Sequence, residues 1–231
     1  MNKIKYGFFA GIFLFLVSGL QLLLNVVVDL FLFPAVTDPS ALAYTWVGSK
    51  RTIIDLIRGI YSLDPFFYIL LLFFSVVFFF GFRILGFRTR NELLRFSSIA
   101  LIPLSTFYFI LSAVISFLPP HEVLIFEVLL PALLVAGLLF GFCGLFFGVG
   151  VAKTRDHFGG LSMCAGFLDV VFRLLFLSWV WVDFVLMGGL EGSILNIPLH
   201  LLFFVVVIFE SAILYKASKH STVAPRRKQT P

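Results

Sequence analysis

The sequence predicts an all-α, polytopic integral membrane protein, a bundle of six transmembrane helices in a single domain. Of 231 residues, 61% are hydrophobic and only 13% are charged, whereas soluble domains have roughly 45–50% apolar and about 25% charged residues. The apolar residues form runs long enough to cross a hydrocarbon core of ~30 Å, which takes about 20 helical residues. Alternating strand patterns of the barrel type are absent from the sequence. We therefore expect a multi-pass protein in a membrane that the sequence does not specify.

The domain covers residues 1–215, and its predicted spans are residues 6–33, 65–82, 93–118, 123–151, 161–187 and 194–215. The first span follows the basic lead MNKIK, and its apolar run far exceeds the 7–15 residues of a signal peptide, so we interpret it as an uncleaved anchor. A short helix is predicted near residues 50–61, where TIIDLIRGIY has helical spacing of its apolar residues. It either lies in the membrane interface or packs outside the membrane.

The remaining elements follow from capping signals and charged turns. Thr89 with Glu92 three residues later forms a capping box that starts the third span, and Pro119-Pro120 ends it. The polar turn AKTRDHFGG separates the fourth and fifth spans. Residues 216–231 form a basic cytoplasmic tail that is expected to be disordered.

The distribution of Lys and Arg predicts the orientation. Thirteen of the 17 lie in the N-terminal lead, the 83–95 and 152–160 connections and the tail, three lie on the other side, and Arg173 lies within a span. Because cytoplasmic segments carry the excess of Lys and Arg, both termini are predicted to be cytoplasmic. Because the basic residues lie beside span ends, we expect anionic lipid rather than nucleic acid as their partner.

The stretch LDVVFRLLF places two charges inside the fifth span. Asp169 and Arg173 lie eight and twelve residues from its predicted start, roughly 12 and 18 Å deep at ~1.5 Å per residue, and the i, i+4 spacing lets them pair. Glu210, about five residues from the predicted end of the sixth span, would approach Asp169 if the two helices were neighbours. The three residues form either a structural staple between helices or a proton or ion relay.

Two further patterns belong to the spans. Glycines at helical spacing let a neighbouring backbone approach closely, as a static packing face or as a sliding surface: Gly137, Gly141, Gly144 and Gly148. Polar residues near the external level either line a vestibule for cations or protons or simply reach headgroups and water: Gln21, Asn25, Asp29, Glu127, Asp183, Asn196 and His200.

The sequence contains no signature of catalysis. No GxSxG, HExxH or Walker motif occurs, and the four histidines are scattered. His121 with Glu122 gives too few ligands for a metal, and Cys143 and Cys164 have no metal-ligand spacing. We therefore expect neither enzymatic activity nor a cofactor.

Two stretches resemble the Yip1 family of multi-pass membrane proteins. FRTRNELLRFSSIALIPLSTF at 87–107 is similar to that family's basic approach to a helix followed by an apolar segment with proline. GVGVAKTRDHFGGLSMCAGF at 148–167 is similar to its charged turn and small-residue start of the next span. The resemblance extends over about residues 65–190. It implies an interaction or trafficking-type membrane protein and carries over no active-site residues.

Two classes of function therefore fit the sequence. One is a non-enzymatic scaffold or accessory subunit that contacts the bilayer, anionic lipid, and membrane-protein partners or a second copy. The alternative is a small transporter or ion-translocating protein that uses Asp169, Arg173 and Glu210.

Overall fold

A computed structural model describes residues 3–27, 59–60, 62–118, 125–185 and 193–220. The elements in chain order are α1 (Lys3–Val27), α2 (Asp64–Arg88), α3 (Glu92–Phe117), a π-helical turn (Ile125–Leu129), α4 (Leu130–Ala152), α5 (Arg155–Phe158), α6 (Gly160–Val185) and α7 (Ser193–His220). Among these described residues, six helices are long and apolar enough to cross a membrane. The predicted all-α bundle of six spans is therefore confirmed.

The six long helices form a closed ring in chain order. Each packs against the next, with the short α5 as a connector, and α1 packs against α7 to close the ring. Aromatic side chains fill its centre: the rings of Phe82 and Phe147, both fully buried, lie 5.0 Å apart in an edge-to-face arrangement. Large apolar side chains that are more than half exposed cover the outside, where lipid accommodates them: Phe9, Phe66, Phe73, Phe117, Phe142, Phe146 and Phe167.

One end of this ring, which we call the basic end, holds both the start of α1 and the end of α7. A Cβ added to Gly7 of α1 would lie 3.0 Å from the Gly81 Cα of α2 and 3.2 Å from the Leu214 side chain of α7. Apart from Arg173, every Lys and Arg of the described residues belongs to this end: Lys3, Lys5, Arg83, Arg88, Arg90, Arg95, Lys153, Arg155, Lys216 and Lys219. Assigning this end to the cytoplasm stays a prediction.

The start of α3 differs from the predicted capping box. The N-cap is Asn91, whose Oδ1 accepts a hydrogen bond from the Leu94 N–H at 3.1 Å. Thr89 instead belongs to the end of α2, where its hydroxyl donates to the Leu85 carbonyl at 3.0 Å. Arg90 between them has a left-handed φ of 55° and turns the chain. The Thr89 assignment was wrong because this tight turn leaves Thr89 hydrogen-bonded to the preceding helix.

The last helix is longer than predicted. α7 continues to His220, so residues 216–220 of the predicted tail are helical rather than disordered. Lys216 donates from Nζ to the Phe158 carbonyl at 3.4 Å, and Ala217 and Ser218 are buried, which keeps this last turn packed. Three predicted segments lie outside the described residues: the rest of the tail (221–231), most of the interfacial helix (50–58) and the end of the first span (28–33).

Candidate functional site: a buried ion-pair cluster

The ion pair in LDVVFRLLF forms across one turn of α6. The Arg173 Nε–H donates to Oδ1 of Asp169 at 3.2 Å. Asp169 is 0% exposed and Arg173 is 5% exposed. Because a lone ion so deeply buried would carry a large desolvation cost, each charge depends on the other to remain there.

Glu210 joins this pair from the neighbouring helix. α6 and α7 are adjacent in the ring, and the rings of Phe172 on α6 and Phe203 on α7 lie 5.5 Å apart. Glu210 is 2% exposed and interacts electrostatically with both Asp169 and Arg173. The structure thus brings together the three residues that the sequence grouped.

The three residues lie well inside their helices. Asp169 is nine residues from the start of α6, about 14 Å along the axis. Because α7 extends to His220, Glu210 lies ten residues from the end of its helix rather than five, about 15 Å. The two carboxyl groups therefore come to a similar level, well away from the ends of the ring.

Aromatic rings enclose the guanidinium. Its Cζ lies 4.7 Å from the ring centroid of Phe140 on α4 and 5.2 Å from that of Phe172 on α6. A cation over the face of an aromatic ring is attracted by the ring quadrupole, and more strongly where water is excluded. Arg173 is thus held by one carboxylate and two rings.

The predicted glycine face lies directly against this cluster. All four glycines are buried on the side of α4 that faces α6: Gly137, Gly141, Gly144 and Gly148. A Cβ added to Gly144 would overlap the Arg173 guanidinium, and one added to Gly148 would lie 2.9 Å from Oδ2 of Asp169. Gly144 and Gly148 therefore make the room that the ion pair occupies, so the glycine face and the ion pair form one site.

Two buried polar atoms of the cluster, Asp169 Oδ2 and Glu210 Oε1, have no hydrogen-bond partner, and neither has Oγ of the adjacent Ser211. Ser211 lies on α7 next to Glu210 and faces α1, where a Cβ added to Gly11 would overlap its hydroxyl. Buried polar atoms are nearly always hydrogen-bonded, so each such atom calls for an explanation.

Three of the predicted outer polar residues have described side chains, towards the opposite end of the ring: Gln21, Glu127 and His200. Gln21 donates from Nε2 to Oδ1 of Asp64 at 3.4 Å and joins α1 to α2. Glu127 is exposed in the π-helical turn, and His200 is half-buried on α7. The side chains of Asn25, Asp183 and Asn196, and all of Asp29, lie outside the described residues. A shared vestibule therefore stays a prediction.

A polar cleft of about 410 Å³ opens at the basic end. It is lined by the α2–α3 turn and the α4–α5 turn: Thr89, Arg90, Asn91, Glu92, Leu93, Lys153, Asp156 and His157. Asn91 also donates from Nδ2 to the Gly150 carbonyl at 2.7 Å. The two stretches that carry the family resemblance are therefore in contact across this cleft.

Some residues of the site were not anticipated from the sequence. They are Phe140, Phe172, Ser211 and Gly11, which lie in apolar spans among many residues of the same types. Gln21 belongs to the predicted outer polar residues, but its partner Asp64, just before the predicted second span, does not. An aromatic residue one position before Arg173 and a serine one position after Glu210 were the available signals, and both are weak.

Fold and site together define a six-span membrane protein with a protein-enclosed ion-pair cluster. Within the described ranges, no group of three or more His, Cys, Asp or Glu side chains is placed to hold a metal ion. No family model, curated protein or solved structure matches the chain. The Yip1 resemblance accordingly stays a prediction.

Proposed function

We propose that this protein is a non-enzymatic membrane scaffold or accessory subunit, of the trafficking type that the Yip1 resemblance implies. In this proposal the ion-pair cluster holds the helices in register, and the basic end contacts anionic lipid and membrane-protein partners, a second copy among them. The observation that carries the proposal is the enclosure of the cluster. None of its three charged residues is more than 5% exposed.

The packing around the cluster supports a fixed rather than a conducting centre. Gly144 and Gly148 bring α4 against the charged groups, and the Phe140 and Phe172 rings cover the guanidinium. Helices in a membrane gain no hydrophobic force from association, so close packing and buried polar contacts have to hold them together. A centre of this kind suits a rigid body that presents its ends to partners.

The basic end supports the contact with lipid. Each Lys or Arg near an anionic bilayer surface is attracted by about 1 kcal/mol, and ten lie at this end among the described residues. Arg90 and Lys153 border the polar cleft, at the level where lipid phosphates lie if this end is at a membrane surface.

A second candidate is ion or proton translocation. The three unpartnered buried atoms on Asp169, Glu210 and Ser211 favour it, because ionisable groups inside a membrane often mark a transport path. The two candidates make opposite predictions for flux.

Flux in liposomes separates them. A scaffold predicts that the purified wild-type protein gives no proton or cation flux above that of protein-free liposomes under an imposed pH or potential gradient. A flux that is present in the wild type and abolished in both Asp169→Asn and Glu210→Gln would overturn the scaffold and support the second candidate.

The lipid contact has a separate test. The wild type is expected to gain thermal stability when anionic lipid replaces zwitterionic lipid in nanodiscs. A variant with Arg88, Arg90, Lys153 and Arg155 changed to Gln should lose that gain. The control changes Lys50, Arg51 and Arg58 to Gln, which the charge distribution predicts to lie on the other side, and should keep it. Equal gains in both variants would contradict a specific role for the basic end.

A further inference from the structure

We propose that the Asp169–Arg173–Glu210 cluster is a proton-binding site that holds one proton on its two carboxyl groups, which makes the buried centre electrically neutral. This inference rests on the site of the proposed scaffold and assigns its charge state. It can fail or hold independently of the scaffold role, because neutrality does not depend on what binds the ends of the protein.

The first argument is a count of charges. The guanidinium of Arg173 is always protonated, and two ionised carboxylates beside it would leave one negative charge without a counter-ion. An uncompensated ion at this depth in an apolar environment is very costly. One proton from bulk water, taken up as the chain folds, removes that charge without any other reaction.

Among the described residues, no other charged group on the helices packed against the cluster supplies the missing positive charge. On α2, which also contacts α7, Arg83 is exposed. α4, which packs against α6, contains no Lys, Arg or His between Leu130 and Ala152. α1, which packs against α7, has none beyond Lys5. On α7 itself His200 lies ten residues from Glu210, about 15 Å along the helix, and Lys216 contacts the Phe158 carbonyl at the basic end.

The second argument is a count of hydrogen-bond donors. Ionised carboxylates only accept, and Oδ2 of Asp169 and Oε1 of Glu210 are both buried without a donor. A proton converts one carboxyl group into a donor. The same proton therefore neutralises the excess negative charge and supplies one hydrogen-bond donor. A buried water molecule would supply donors but no charge.

The geometry assigns the proton to Glu210. Asp169 accepts the hydrogen bond from the Arg173 Nε–H, which favours its ionised form. Glu210 on α7 has a buried carboxyl oxygen, Oε1, that receives no hydrogen bond. A glutamine has nearly the shape of a protonated glutamic acid, so Glu210→Gln should preserve folding.

Infrared spectroscopy of the purified full chain in nanodiscs at neutral pH tests this proposal. Exposed carboxyl groups are ionised there, so the carbonyl-stretching band of a protonated carboxylic acid reports the buried site. We expect an intensity of one group in the wild type, none in Glu210→Gln and two in Arg173→Leu. The control Glu127→Gln changes an exposed carboxyl group and should leave the band unchanged.

Isotope labelling gives the same answer without any variant. Carboxyl-labelled [13C]glutamate should shift the wild-type band, and labelled aspartate should not. Absence of the band in the wild type would overturn the proposal, as would a band that neither Glu210→Gln nor labelled glutamate alters; a bound metal cation would produce the first of these results. A band that exchanges at once in D2O would support the proton site and count against the enclosed centre of the scaffold.

Discussion

Two ion pairs among the described residues have nearly the same distance between their charged atoms and very different surroundings. Arg173 and Asp169 are 3.2 Å apart with side chains 6% and 0% exposed, and Arg95 and Glu92 are 3.3 Å apart with side chains 37% and 62% exposed. Exposed pairs contribute about 0–1 kcal/mol, whereas breaking a buried pair leaves an uncompensated ion. Burial, rather than the distance between the charged atoms, therefore sets how much each pair matters.

Aromatic stacking does not distinguish the two arginines. Arg95 lies 5.7 and 5.5 Å from the ring centroids of Phe87 and Phe96, so it too is flanked by two aromatic residues. The two arginines differ on the side that neither the carboxylate nor the rings cover. There Arg173 lies against Gly144, whereas Arg95 remains partly exposed. The glycine face is thus what completes the enclosure of the buried pair.

The largest contrast is expected from removing each arginine. Arg173→Leu should lower the free energy of unfolding by about 3–5 kcal/mol, because the buried Asp169 carboxylate loses its cation. The matched Arg95→Leu should lower it by at most about 1 kcal/mol. Reversible unfolding in mixed micelles measures both, and equal losses would show that enclosure is irrelevant.

Filling the space opposite Arg173 should have the next largest effect. Gly144→Ala should cost about 1–3 kcal/mol through overpacking, because the added methyl group overlaps the guanidinium. Gly160→Ala is the control, since no atom lies within 4 Å of its added Cβ. The loss from Gly144→Ala should shrink in an Arg173→Leu background; the same loss in both backgrounds would place the clash elsewhere.

At the basic end, removing the cap of α3 should lower the free energy of unfolding more than removing the Thr89 hydroxyl does. Asn91→Ala should cost about 0.5–2 kcal/mol, because it removes both the cap and the hydrogen bond to the Gly150 carbonyl. Thr89→Ala should cost less, since Thr89 bonds only within its own helix end. The reverse order in thermal unfolding would restore Thr89 as the cap.

The smallest effect is expected at the exposed pair. Glu92→Gln should change the free energy of unfolding by no more than about 0.5 kcal/mol, because water and salt already screen its charge. A loss above about 2 kcal/mol in the same unfolding assay would show that this pair is coupled to the packed part of the ring.

Local patterns predicted the spans and the polar groups, because each depends on residues that are close in sequence. The apolar runs gave the six helices, and the i, i+4 spacing of Asp169 and Arg173 gave their pairing. The contact between Gly144 and Arg173 could not be predicted, since it depends on the register of α4 against α6. The same holds for Ser211 against Gly11 of α1.

Errors at helix ends have a similar physical origin. Asn91 and Thr89 are both good capping residues, and the left-handed Arg90 between them decides which helix each one serves. The extension of α7 to His220 depends on the Lys216 contact with the Phe158 carbonyl, 58 positions earlier in the chain. Such choices are made by tertiary contacts that the local sequence does not contain.

A double-mutant cycle on Asp169 and Arg173 tests the central claim most directly. The free energy of unfolding is measured for the wild type, Asp169→Asn, Arg173→Leu and the double variant, with Glu92→Gln and Arg95→Leu as the exposed reference cycle. We predict that the buried double variant loses less than the sum of its two single variants, by about 0.5–3 kcal/mol, and that the reference cycle is additive. Additive losses at Asp169 and Arg173 would contradict the claim that each of these buried charges depends on the other.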